Sequence, residues 1–166
     1  IGKVCVSCFS AGFGAIREIL KEPTYFDRIH GLLAADSIYA GLASMEPRVV
    51  EPANMVDFRR FAKAAVQGEK TFIVTHSCLH TPTYASTVET AADLIAHAGI
   101  AREAVDEKGP GEMSVISKAH RGELTVIEYA GDDGPAHMQH LREIGAWITL
   151  LPLARFEEGR YGVRTI

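Results

Sequence analysis

The sequence predicts an α/β fold, a parallel sheet with helices on both faces, and three observations carry the prediction. The run 4–9 is too apolar and too short to be an amphipathic surface element, and it fits a strand covered on both sides, as do 29–35 and 70–75. Apolar residues recur at helical spacing between these runs, first in Ala15, Ile16, Ile19 and Leu20, then in Phe58, Phe61, Ala62, Ala65 and Val66. A fourth strand at 123–129 and a last helix complete an alternation that right-handed crossovers turn into a parallel sheet. The 166 residues read as one domain over 1–166, and 47% hydrophobic content is enough for a real core.

The first strand, 4–9, leads through Ser10, Ala11 and Gly12 into a helix. Gly12 and Gly14 allow close backbone approach there. Ser10 therefore stands between a strand end and a helix start, where a hydroxyl projects above the sheet and the first helical amides can stabilise an anion. Pro23 stops the helix, and 25–28 lead into the strand 29–35, which ends at Asp36-Ser37. An acid at a strand's C-terminal end faces the crevice where open α/β sheets place their sites. Asp and Ser are also turn formers, so capping the following turn is the alternative for Asp36.

Residues 37–53 hold Gly41, Pro47 and Pro52 and read as irregular, with Tyr39 and Met45 at a pocket mouth. Asn54, with Asp57 three residues on, caps a helix running to about Gln67, and Gly68 supplies its stop. The strand 70–75 runs into His76, Ser77, Cys78, Leu79 and His80. A helix over 83–98 turns Val88, Ala91, Ala92, Leu94 and Ile95 inward and ends at Gly99. The charged stretch 100–122, with Gly109, Pro110 and Gly111, reads as a crossing connection or flap. The alternation in 123–129 gives a strand whose polar side places it near a sheet edge. A turn-rich loop then feeds a helix with Pro135 in its first turn and Leu141, Ile144, Ile148 and Leu151 inward. His137 falls at that loop-to-helix junction and His140 one turn deeper, and the tail after Pro152 is polar and peripheral.

Cys8-Phe9-Ser10-Ala11-Gly12, with a strand before it and a helix after it, resembles the G-x-S-x-G nucleophile elbow of the α/β-hydrolase family, with Cys8 where the pattern has its first glycine. The resemblance implies a serine hydrolase acting on an ester or related acyl bond of a small molecule. Its order of nucleophile, acid and base is reproduced by Ser10, Asp36 and His137, with His140 as the alternative base. It further implies that the Ala11 amide is an oxyanion donor and that Phe9, Tyr39 and His76 contact substrate. Most of the family carry the acid after the third of these strands, yet 76–82 contains no carboxylate; some lipases carry it after the preceding strand, where Asp36 stands. Several strands precede the elbow strand in that family. The resemblance thus covers the C-terminal half of the fold, apparently lacking the N-terminal strands, and implies a preceding segment or a partner chain that completes the sheet and brings a second oxyanion donor. The first strand is accordingly expected inside a sheet, paired on both sides.

Composition narrows the rest. A net charge of -4 and the absence of any basic run argue against nucleic acid as a partner, and no stretch approaches the roughly 20 apolar residues of a membrane span. Cys5, Cys8 and Cys78 are sparse and odd in number, which suggests reduced thiols, and in a strand Cys5 and Cys8 face opposite sides. His76, Cys78 and His80, with His137 and His140, are metal-capable residue types, but alternate positions in an extended segment do not guarantee convergence; no metal and no cofactor are expected. The rival to a hydrolase is a non-catalytic domain binding a small anion or other ligand, whose Gly12-to-Gly14 turn cradles the anion at the helix start.

Overall fold

The structure, a computed structural model, describes residues 2–153. Strand β1 (Val4–Ser10) is followed by helices α1 (Phe13–Lys21) and α2 (Pro23–Arg28), strand β2 (Ile29–Ser37), a hairpin of β3 (Leu42–Met45) and β4 (Arg48–Val50), and helix α3 (Pro52–Val66). Strand β5 (Thr71–His76), helix α4 (Thr87–Ala98), strands β6 (Glu103–Lys108), β7 (Ser114–Arg121) and β8 (Leu124–Tyr129), and helices α5 (Gly134–Arg142) and α6 (Ile144–Ile148) complete the chain. The main sheet has six strands in the order β1-β2-β5-β8-β7-β6. The pairs β1/β2, β2/β5 and β5/β8 are parallel, while β8/β7 and β7/β6 are antiparallel.

Alternate residues of the central strands feed two cores, as the period of a pleated strand requires. Leu32, Ala34, Phe72, Val74, Leu124 and Val126 pack with Ile16 and Leu20 of α1, with Phe58 and Phe61 of α3 and with Leu94 of α4. On the other face Leu33, Ala35, Ile73 and Ile127 pack with Met113, Val115 and Trp147. Each large side chain fully buried in this way contributes about 1.5–3 kcal/mol, so the two layers of helices are held chiefly by the sheet between them. An ion pair joins α3 to α4, with Arg59 Nε 2.9 Å from Asp93 Oδ2.

Several sequence expectations change. Residues 100–122 are neither a crossing connection nor a flap: they form β6 and β7, which extend the sheet antiparallel to β8. β6 is almost entirely exposed, and an edge strand carries charge against edge-to-edge association, which is why its composition resembles a loop. β8 in turn lies between β5 and β7 rather than near an edge. Its polar side is accounted for by Glu128, whose carboxylate meets Arg102 Nη1 and Ser117 Oγ, both at 2.5 Å. β1, expected inside a sheet, is an edge strand among the described residues, with β2 as its partner.

The stretch read as irregular contains the β3/β4 hairpin, and Arg48 pins it to the first turn of α4 by donating to Glu89 and to the loop before α4 by donating to Thr81 O and Tyr84 O. α3 is capped by the Glu51 carboxylate, which accepts from the Ala53 N–H at 3.3 Å with Pro52 in the first turn; Asn54 instead receives the Gly41 N–H. α4 begins at Thr87 rather than 83, where Glu89 reaches back to the Ser86 N–H at 2.8 Å to complete a capping box. The last predicted helix breaks at Glu143 (φ -96°), which leaves Leu141 42% exposed and buries Trp147. Cys5 and Cys8 belong to opposite cores, and the three thiols are free. Among the described residues no helix is long and apolar enough to cross a membrane. The tail expected to be peripheral lies, from Ala154 on, outside the described residues.

Candidate active site

Ser10 ends β1, and its backbone takes φ 51°, a left-handed conformation that costs a residue with a Cβ about 1–2 kcal/mol. The turn holds it there. Gly12 N–H donates to Phe9 O at 3.0 Å, and a Cβ on Gly12 would lie 3.0 Å from Phe9 O and 3.2 Å from Cys8 Cβ. The bare Gly12 thus leaves room for Cys8 at the position that is glycine in the elbow pattern. From the neighbouring strand, Ser37 Oγ donates to Ser10 O at 2.6 Å and fastens the bend to β2.

Asp36, near the C-terminal end of β2, has φ 38° and no exposed surface. Every group facing its carboxylate is a donor. Oδ1 accepts from Ser77 N–H at 3.1 Å and from Thr87 Oγ1 at 2.6 Å, while Oδ2 accepts from Ser77 Oγ at 2.7 Å and from His137 Nδ1 at 2.8 Å. Burial alone would raise the pKa of this carboxyl, yet the net shift is downward, because positive charge on His140 and hydrogen bonds from Thr87, His137 and Ser77 favour the anion. Burial keeps His140 largely neutral near pH 7, so at that pH the hydrogen bonds carry the effect.

His137 stands in the first turn of α5, whose start is set by the Asp133 carboxylate accepting from Ala136 N–H at 2.9 Å. Its ring stacks on Phe9 with centroids 4.6 Å apart. Its Nε2 is 3.1 Å from Ser10 Oγ. Because Nδ1 faces a carboxylate it carries the proton, which leaves the Nε2 lone pair directed at the serine hydroxyl. Residues 127 and 101 positions apart in the chain are thus joined in one hydrogen-bonded line at the C-terminal ends of parallel strands, where open α/β sheets form their crevices.

A cavity of about 610 Å³ opens over this line. Ser10, Ala11 and His137 form its floor, Phe13, Tyr39, Tyr84 and Leu79 contribute apolar surface, and Arg17, Asn54 and Thr81 add polar groups. Burial, with Asp36 and Tyr84 nearby, pushes the pKa of the Tyr39 phenol upward, so it stays neutral. Phe9, expected against substrate, lies outside the cavity lining and stacks against the His137 ring. His76, also expected there, has no exposed surface and lies outside the cavity lining. Its Nδ1 bonds to Ser77 O at 2.9 Å and its Nε2 faces Arg102. His140, the alternative base, meets Thr75 Oγ1 through Nδ1 at 2.8 Å and lies between Tyr129 and Trp147; burial holds its pKa down to about 4.

Among the described residues no group of three His, Cys, Asp or Glu side chains is placed to hold a metal ion. The anion cradle expected as the rival use of this turn has two of its amides committed, Gly12 N–H to Phe9 O and Gly14 N–H to Ala11 O. Sequence reasoning missed Ser77, Thr87 and Ser37, which hold Asp36 and the Ser10 backbone. The available signal was the Ser86-x-x-Glu89 pattern, a capping box that marks where α4 presents Thr87. No family model, no curated protein and no solved structure matches the chain.

Proposed function

We propose that this chain is a serine hydrolase that cleaves an ester or related acyl bond of a small molecule, with Ser10 as nucleophile, His137 as general base and Asp36 as the group that orients and stabilises the imidazolium. The observation that carries this reading is the pair of distances at His137, 3.1 Å to Ser10 Oγ and 2.8 Å to Asp36 Oδ2. Ser10 Oγ attacks the substrate carbonyl as its proton passes to His137 Nε2, and the buried Asp36 anion offsets the charge that develops on the ring. The carbonyl oxygen becomes an oxyanion, for which the backbone N–H of Ala11, on the cavity floor, is the adjacent donor. Collapse of this intermediate breaks the bond to the leaving alcohol, which takes the proton back from Nε2. Water activated by His137 then releases the acid and restores Ser10.

The α/β-hydrolase resemblance adds a second oxyanion donor from a segment or partner chain that completes the sheet beside β1. Such a donor is worth about 3 kcal/mol of barrier. A fluorophosphonate probe tests the reading. Labelling is expected at Ser10, lost in Ser10→Ala and strongly reduced in His137→Ala. Absence of labelling on the folded protein, or labelling that persists in Ser10→Ala, would overturn it.

A further inference from the structure

Arg17 lines the cavity over Ser10, and the acyl-transfer steps make no use of it. It lies one helical turn beyond Phe13 on α1, with its guanidinium 5.7 Å from the centre of the Phe13 ring. Its ionic neighbour among the described residues is Glu18, 3.8 Å from Nε. Glu18 is a weak partner, being 61% exposed and accepting from Lys21 Nζ through both oxygens at 2.7 and 2.8 Å. Among the described residues the two Nη groups of Arg17 have no hydrogen-bond acceptor, and no carboxylate lines the cavity. On a chain of net charge -4, a cavity wall with a guanidinium and no acid is selective: it attracts an anion into a space whose other surfaces are aromatic and aliphatic.

We infer that the substrate carries a carboxylate remote from the bond that is cleaved, and that Arg17 binds it. A guanidinium presents a planar fork that pairs with a carboxylate through two parallel hydrogen bonds; a phosphate dianion would call for more cationic donors than this wall offers. Asn54 supports the assignment. Its side-chain oxygen is occupied by the Gly41 N–H at 2.8 Å, which leaves its NH₂ as a further donor on the same lining. The substrate class is therefore an ester with an apolar body, held between Phe13, Tyr39 and Tyr84, and a free acid at its far end.

This inference rests on the hydrolase reading, and the experiment separates the two. Binding is measured by calorimetry on Ser10→Ala, which removes the nucleophile, with methyl esters of increasing chain length that end in a carboxylate or in the isosteric carboxamide. A second set carries the same groups in the alcohol portion. In at least one length the carboxylate should bind about tenfold more tightly than its amide, and adding Arg17→Gln should remove that preference. Equal binding of acid and amide at every length, a preference that survives Arg17→Gln, or no detectable binding of any carboxylate overturns the inference. Fluorophosphonate labelling of the unaltered protein, read in parallel, reports on the hydrolase reading alone and does not depend on Arg17.

Discussion

Replacing Asp36 by Asn tests the electrostatic logic of the site, since the variant is isosteric and differs only in what its two terminal atoms can accept. The native carboxylate faces four donors and no acceptor: Ser77 N–H, Thr87 Oγ1, Ser77 Oγ and His137 Nδ1. The Ser77 N–H is fixed by the backbone, so the amide oxygen must take the position of Oδ1. The NH₂ then replaces Oδ2 and points at Ser77 Oγ and His137 Nδ1. Ser77 can rotate its hydroxyl to accept. His137 can accept only by moving its proton to Nε2, where it faces Ser10 as a donor and can no longer act as a base. With the hydrogen bonds re-formed but without a charge, the fold should lose only about 1–2 kcal/mol. Reaction at Ser10 should fall by about 10⁴-fold, roughly 5 kcal/mol of barrier. The assay is the rate of fluorophosphonate labelling, with urea unfolding as the control for stability. A variant labelled within about tenfold of the parent protein, with its unfolding transition intact, would refute the claim that Asp36 sets the tautomer of His137.

Two further outcomes follow from the same geometry. Ser10→Gly should abolish labelling and yet raise stability by about 1 kcal/mol, since glycine adopts φ 51° without a Cβ penalty; a less stable glycine variant in urea unfolding would count against strain at the bend. Burial holds His140 at a pKa of about 4, below its ordinary value of 6.5, so the unfolded chain binds this proton first as pH falls. Stability should therefore be full above about pH 6.5 and decline toward pH 4, by about 3 kcal/mol from this one group. His140→Leu should remove that part of the pH dependence in urea titrations at pH 7.5 and pH 5, and an unchanged slope would exclude His140 as its source.

Local signals made most of the strand and helix content legible. The apolar runs of β1, β2 and β5 and the stripe of α3 each announce a buried face, and small residues after Cys8 announce a sharp bend with Ser10 at its tip. The β3/β4 hairpin, the strands β6 and β7 and the break in the last helix escaped. β6 looks like a loop because an exposed edge strand is selected for charge, and the break at Glu143 in the last helix leaves no apolar signature that distinguishes it from a continuous helix. His76 illustrates the same limit at the site. Beside a serine in a loop after a strand it resembles a substrate contact, yet Arg102 and Glu128, which surround it, come from chain segments that local spacing does not connect to it.

What the sequence by itself determined is the chemistry on offer: a hydroxyl at a strand-to-helix bend, an acid at the end of the next strand, and two histidines one helical turn apart. Tertiary structure alone decided which histidine meets Ser10, because the Asp133 cap and the Phe9 ring turn His137 toward the crevice while Trp147 and Tyr129 enclose His140. It alone supplied the Ser77 and Thr87 donors that keep Asp36 ionised and placed the Arg17 guanidinium on the cavity wall with Glu18 as its ionic neighbour. The physical reason is range: propensity and periodicity act over a few residues, whereas a hydrogen-bonded line of side chains is defined by contacts of about 3 Å between atoms that only the packing of the sheet brings together.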